Sequence, residues 1–254
     1  MKNLKKIVIN LVFAFILIGH VRANDLFLYD VDTNGTELSE VTDNKLTVLQ
    51  NVVGKTYSLK NNLSIVNSTN SYSFYTFPHK LSVYQRELTS TYFNNDDTIQ
   101  YYNDFKLPEV VKVKEQSFTF SVNGELYVVS ESSTTNVIGT SMVNVVFASA
   151  KLFIKSGEKY TQVYVDSGIV TVLDTKSSKK KKELKSGDYL VVTPQITLSP
   201  REGSVKSNNS SFSIKEVEDD ELKLHSENFD KVKRTLDNSL FINYNENIIG
   251  VKLK

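Results

Sequence analysis

The chain has 254 residues, 30 Lys and Arg against 29 Asp and Glu, and no cysteine. The missing cysteine excludes disulfides, thiolate metal sites, a cysteine nucleophile and a lipidated cysteine. With 13 Tyr, 14 Phe and only 4 Pro among many Ser, Thr and Asn, the composition points to β-structure joined by polar turns.

Residues 1–23 read as a cleaved signal peptide. Lys2, Lys5 and Lys6 precede a nearly unbroken apolar run from Ile7 to Ile18, and Val21 and Ala23 place small residues before a cleavage point at Asn24. The run is too short to span a bilayer, which takes about 20 apolar residues. Without the four leader cations the formal charge falls from +1 to −3, and a mildly acidic exported chain argues against nucleic acid as a partner. The expected location is the periplasm or the cell surface.

Strands are expected over Lys45–Val53 and Thr56–Val66, then Ser71–Tyr75 and Lys80–Tyr84 around Phe77-Pro78. Asn94–Lys106 reads as a loop or a short capped helix. Ser117–Val129 reads as a hairpin turning at Asn123-Gly124, the preferred type I′ dipeptide. A second hairpin is expected over Lys151–Val165. Arg201–Ser213 reads as a linker or exposed loop, and Asp219–Leu236 as a helix with acids first and bases last. Its expected apolar stripe is Leu222, Phe229, Val232 and Leu236. Leu240–Tyr244 and Ile248–Leu253 are expected to be terminal strands.

Three steps between Thr134 and Thr193 carry a family pattern. A Thr-rich strand ends in Gly139-Thr140, Val165-Asp166-Ser167-Gly168-Ile169-Val170-Thr171-Val172 follows, and Leu184-Lys185-Ser186-Gly187-Asp188-Tyr189-Leu190-Val191-Val192 closes it. In this order the segment resembles the FecR domain of bacterial envelope regulators, over about residues 117–193. The resemblance implies an all-β domain, a sandwich of jelly-roll kind or a short β-solenoid, here with a C-terminal helix. The expected divisions are 24–115, an N-terminal β-rich region; 116–200, the FecR-like domain; and 201–254, linker, helix and terminal strands. Membrane-anchored members carry a cytoplasmic anti-sigma segment where this chain has a leader. What transfers is therefore an exported, non-catalytic module that binds or scaffolds a protein partner of the envelope.

Catalytic and metal chemistry find little support. His79 and His225 are far apart, without a His-x-His pair, and no Gly-x-Ser-x-Gly elbow occurs. No catalytic, metal or cofactor residue is therefore assigned. Asp30, Asp32, Asn34 and Gly35 open like a calcium loop, but Val41 stands where the bidentate Glu belongs, so a polar turn competes with calcium there. Two binding features remain. Tyr72, Phe74, Tyr75 and Tyr84 are an aromatic platform candidate for a carbohydrate or envelope polymer. Lys179, Lys180, Lys181 and Lys182 form a basic run, expected in a hairpin loop, that would attract an acidic surface.

Overall fold

The computed structural model describes residues 25–42, 45–59, 62–93, 101–102, 105–106, 118–175, 180–198, 205–244 and 247–253. The leader, most of 94–117 and Lys179 lie outside them, so the leader and part of the basic run are expectations from sequence alone.

The described chain is almost entirely antiparallel sheet, with one helix near its C-terminus. Its spine is a meander of three long strands, β11 (Phe118–Gly139), β12 (Val143–Gly157) and β13 (Tyr160–Asp174). Val, Ile, Phe and Thr alternate along them, so each strand gives one face to the interior and one outward. Strands of this length bend. β12 and β13 shift register around Ala150 and Gly168, and β11 shifts between Glu131 and Asn136. The two halves of the spine therefore enter two layers.

In the first layer, β7 (Leu81–Gln85) pairs with the middle of β11. Beyond it follow β6 (Ser73–Phe77), β1 (Asp25–Val31) and β4 (Thr56–Ser58). On the far side β15 (Tyr189–Leu198) pairs with the start of β13, and β16 (Val205–Lys215) forms the edge. In the second layer, β8 (Ser90–Phe93) pairs with the start of β11, followed by β5 (Asn62–Asn67), β2 (Thr36–Thr42) and β3 (Lys45–Leu49). β14 (Lys181–Lys185) pairs with the end of β13. Every pairing among the described strands is antiparallel, which fits a sandwich and not the parallel coils of a β-solenoid. A two-stranded hairpin, β9 (Tyr101–Tyr102) and β10 (Phe105–Lys106), stands where a loop or a capped helix is expected.

The main core lies between the layers. Leu126, Val128, Leu152, Ile154, Val163 and Val165 face it from the first layer, and Ile65, Phe120, Val145, Val170, Val172 and Leu184 from the second. A polar clip joins the layers beside it. Gln85 donates to the carbonyls of Ile65 (3.0 Å) and Thr89 (2.7 Å), while its own carbonyl accepts from Thr91 (2.6 Å). Asn67 donates to the carbonyls of Gln85 (2.9 Å) and Arg86 (3.0 Å) and accepts from Thr36 (2.9 Å). Both side chains are buried, so these bonds replace water.

Three local expectations change. Asn123-Gly124 does not turn the chain, because β11 runs straight through it. Gly124 has φ +118° while Asn123 keeps a negative φ, and a type I′ turn needs both positive. The glycine instead lets β11 change partner, from β8 at Ser121–Asn123 to β7 at Leu126–Ser130. A Cβ on Gly124 would sit 2.6 Å from the Thr89 backbone. Arg201–Ser213 is not a linker throughout, since Val205–Lys215 forms β16, its backbone groups taken up by β15. The basic run is not all loop either: Lys181 and Lys182 belong to β14.

The hairpin from β12 to β13 forms as expected, with Gly157 opposite Tyr160. The helix, α1 (Asp219–Asp237), also forms where its charge order places it, with Asp219, Asp220 and Glu221 in the first turn and Arg234 in the last. Its buried stripe differs from expectation: His225, Asn228, Phe229, Val232, Thr235 and Leu236 are buried, while Leu222 is exposed. The helix lies on the outer face of the first layer, over β6, β7 and β11. β17 (Ser239–Tyr244) and β18 (Asn247–Lys252) form a hairpin against β1, where Phe241 meets Phe27 edge-on at 6.0 Å. A Cβ on Gly250 would fall 2.2 Å from Phe27, so only glycine allows this approach.

Candidate binding surfaces

The outer face of the first layer carries an aromatic ladder that no single segment reveals. Phe74 stands opposite Tyr84, Tyr84 opposite Tyr127, and Tyr127 opposite Phe153. Phe153 then faces Tyr164, and Tyr164 faces Tyr189. Six neighbouring strands thus each place one ring in a single row. Asp30 lies opposite Phe74 at one end and Lys215 opposite Tyr189 at the other. Phe74 and Tyr84 stack at 4.4 Å with planes 6° apart, and Tyr127 lies 4.8 Å from Phe153. Direct cross-strand aromatic neighbours contribute about 0.2–1 kcal/mol per pair, so the row ties the layer together across its width.

Helix α1 covers the middle of the ladder. His225 stacks on Tyr164 at 4.8 Å and lies 4.7 Å from Phe153, and Phe229 meets Tyr127 edge-on at 5.4 Å. The Tyr127 hydroxyl lies 3.1 Å from His225 Nδ1 and is also hydrogen-bonded by Asn228. In the neutral imidazole with its proton on Nε2, Nδ1 can accept from the Tyr127 hydroxyl. Loss of hydration under the helix lowers the His225 pKa to about 4, against a smaller opposing pull from Glu125. The same burial pushes Tyr127 and Tyr189 up to about 12. Glu125 is held by Arg86 (2.7 Å) and Lys155 (2.8 Å).

The helix also reaches over β6 and β7, so Phe74 and Tyr84 pack against the cluster under it and only the margin of the ladder is exposed. Phe74 and Tyr84 are half-buried, and Tyr72, edge-on to Phe74 at 5.9 Å, is exposed. Burial and the nearby Asp30 and Asp32 carboxylates raise the Tyr72 pKa. Tyr75 does not belong to this surface. It points into the core between the layers, fully buried, with its hydroxyl 3.3 Å from both Gln85 Oε1 and Thr91 Oγ1. The period of two decides this: Phe74 and Tyr75 are consecutive and must face opposite ways. The sequence platform therefore reduces to Tyr72, Phe74 and Tyr84, while Tyr127, Phe153, Tyr164, Tyr189 and His225 were missed. The signal available for them was an aromatic at an outward position in each successive strand.

The lysines separate as well. Lys181 and Lys182 are exposed on β14 with Lys185, and Lys180 lies over the Phe212 ring at 5.0 Å, bonded to the Ser210 carbonyl. The proposed calcium loop is the turn between β1 and β2, in which Asp32 accepts from the Asn34 amide (3.1 Å) and Asp30 from the Val31 amide (3.0 Å). Among the described residues no group of three His, Asp or Glu side chains is placed to hold a metal. His79 stacks on Phe77 (5.6 Å), and its Nε2 lies 3.2 Å from Asn136 Oδ1. No described helix is long and apolar enough to cross a membrane.

No family model matches the chain, and no curated protein matches it. Among solved structures it is similar to two crystal structures of candidate anti-sigma factors from Parabacteroides distasonis. One aligns with a TM-score of 0.41 and 13% identity over 72% of this chain and 68% of the other. The second aligns with a TM-score of 0.39 and 11% identity, over 75% of this chain and 99% of the other. Likeness this distant fixes neither family nor function.

Proposed function

We propose that the chain is an exported, non-catalytic FecR-like module of a bacterial cell envelope that binds or scaffolds a protein partner. The observation that carries the reading is the placement of the three motif steps. They fall in order on the stretch from β11 to β15, with Gly168 at a bulge (φ +93°) and Gly187 in the turn between β14 and β15 (φ +88°). In this reading residues 116–200 are the FecR-like unit, and 24–115 are a β-rich region attached to it through β7 and β8 on β11. Edge strands such as β14 and β16 are natural docking sites for an extended partner segment. Export rests on the leader pattern of residues 1–23. The test is fractionation of cells expressing the full chain, followed by crosslinking and identification of what is captured. Recovery with the envelope, crosslinked to a protein, is expected; recovery only as a free monomer in the medium overturns the reading.

A second reading has one observation in its favour, the exposed ring of Tyr72 at the margin of the ladder. Tyr72, exposed and edge-on to Phe74 beside Asp30 and Asp32, offers a ring face and acceptors suited to a carbohydrate. Titration with envelope-derived oligosaccharides should then shift tyrosine resonances in the native chain and not in Tyr72→Ala. Unchanged spectra would remove it.

A further inference from the structure

We propose that the outer edge of β14 receives an extended acidic segment of a protein partner, which joins the sheet as an added strand. The inference rests on the protein-docking reading and names the edge and the chemistry of its occupant.

The backbone sets out the slot. β14 pairs with β13 alone among the described strands, with Leu173 opposite Lys181, Val172 opposite Lys182 and Thr171 opposite Glu183. The Asp174 amide donates to the Lys180 carbonyl at 3.0 Å, which makes Asp174 and Lys180 a hydrogen-bonded pair. Antiparallel pairs alternate between bonded and non-bonded, so Lys180, Lys182 and Leu184 turn their backbone groups toward β13. Lys181, Glu183 and Lys185 turn theirs away. Lys185 confirms the direction: its amide donates to Asp188 Oδ2 at 2.7 Å and its carbonyl accepts from the Asp188 amide at 3.0 Å. The outward amides and carbonyls of Lys181 and Glu183 bond no described residue, a ready template for another strand.

The side chains select the occupant. Lys180 to Lys185 hold four cations and one acid, a net +3, and Lys181, Lys182 and Lys185 are all exposed. A second copy of this edge would set lysine against lysine, and a neutral strand would leave the charge unanswered. An acidic strand satisfies both backbone and charge. Leu184, fully buried, and Lys180, held against Ser210 and Phe212, fix β14 before any partner arrives, so little ordering is needed on binding. An anionic lipid surface would meet the lysines but would not need the amides of Lys181 and Glu183. That difference makes the proposal testable.

The experiment follows fluorescence anisotropy of a labelled peptide of alternating Glu and Thr added to the chain from residue 24 onward at low salt. Vesicles of phosphatidylcholine and phosphatidylglycerol (three to one) provide the comparison. The peptide should bind, with affinity falling as salt rises. Lys181→Gln/Lys182→Gln/Lys185→Gln should weaken it about tenfold or more through lost charge. Glu183→Pro removes one outward amide, a change that edge strands tolerate, and should bind about tenfold more weakly than Glu183→Gln, which makes the same change of charge and keeps the amide. Hydrogen exchange on the unmodified chain supplies a readout independent of variant folding, since the Lys181 and Glu183 amides should gain protection when peptide is added. Absence of that protection, equal binding by Glu183→Pro and Glu183→Gln, or binding to vesicles but not peptide each overturns strand addition. Failure here with a crosslinked partner still recovered leaves the docking reading standing, whereas recovery only as a free monomer removes both.

Discussion

Acid should loosen the contact between helix α1 and the ladder, and His225 sets the size of the effect. The imidazole is 5% exposed, stacked against Tyr164 and Phe153, with Tyr127 directed at its Nδ1. Its pKa drops from 6.5 to about 4 on folding. Because the folded value is lower, the unfolded chain binds the extra proton first. The contribution is therefore complete above pH 6.5 and is lost as pH falls toward 4. A gap of this size is worth about 3 kcal/mol at pH 4, at about 1.4 kcal/mol per pH unit. Carboxylates also titrate in that window, so the informative quantity is a difference of differences. Urea unfolding at pH 8 and pH 4 should show the native chain losing about 3 kcal/mol more than His225→Gln, which has no proton to gain. Glu125 faces the site from β11, and Tyr127, Tyr164 and Tyr189 do not titrate in this range. Equal losses in the two proteins would refute the reasoning, because His225 would then be charged or hydrated in the folded state.

Four further outcomes follow from the packing. Gly124→Ala should destabilise the chain by about 2 kcal/mol or more in chemical denaturation, since its Cβ would collide with the Thr89 backbone at positive φ. Gly187→Ala, with open space around it and only the φ penalty to meet, should cost about 1 kcal/mol; equal costs would contradict the close approach at Thr89. Asn67→Leu should cost about 2–4 kcal/mol by the same measurement, because Thr36 and the Gln85 and Arg86 carbonyls lose a buried partner. Gly250→Val should lift the terminal hairpin off Phe27, seen as faster hydrogen exchange confined to β17 and β18; unchanged exchange there would mean the contact does not hold the hairpin.

Most strands and the helix were legible in the sequence because their signals are local. Alternation marks a strand with one buried face, and acids followed by bases mark a helix aligned with its dipole. Asn123-Gly124 misled for the same reason. Its preference for a turn is local, whereas β8 and β7 offer hydrogen bonds to both flanks of a straight β11, and that pairing is written elsewhere in the chain. Val205–Lys215 gave no strand signal because Ser and Asn favour loops, yet β15 supplies a ladder for its backbone. On α1, Asn228 and His225 look like breaks in an apolar stripe until Tyr127 is placed opposite them with a hydroxyl to share.

The sequence by itself determined the material: β-strands, a C-terminal helix, no cysteine chemistry, and a run of strands punctuated by Gly139, Gly168 and Gly187. Tertiary structure decided the surfaces. Which strand lies beside which, and in what register, depends on contacts tens of residues apart, and a one-residue slip would move every ring to the other face. Only that register turns six scattered aromatics into one ladder, sends Tyr75 to the core instead, and sets part of a lysine run on a sheet edge whose outward amides no described residue takes up.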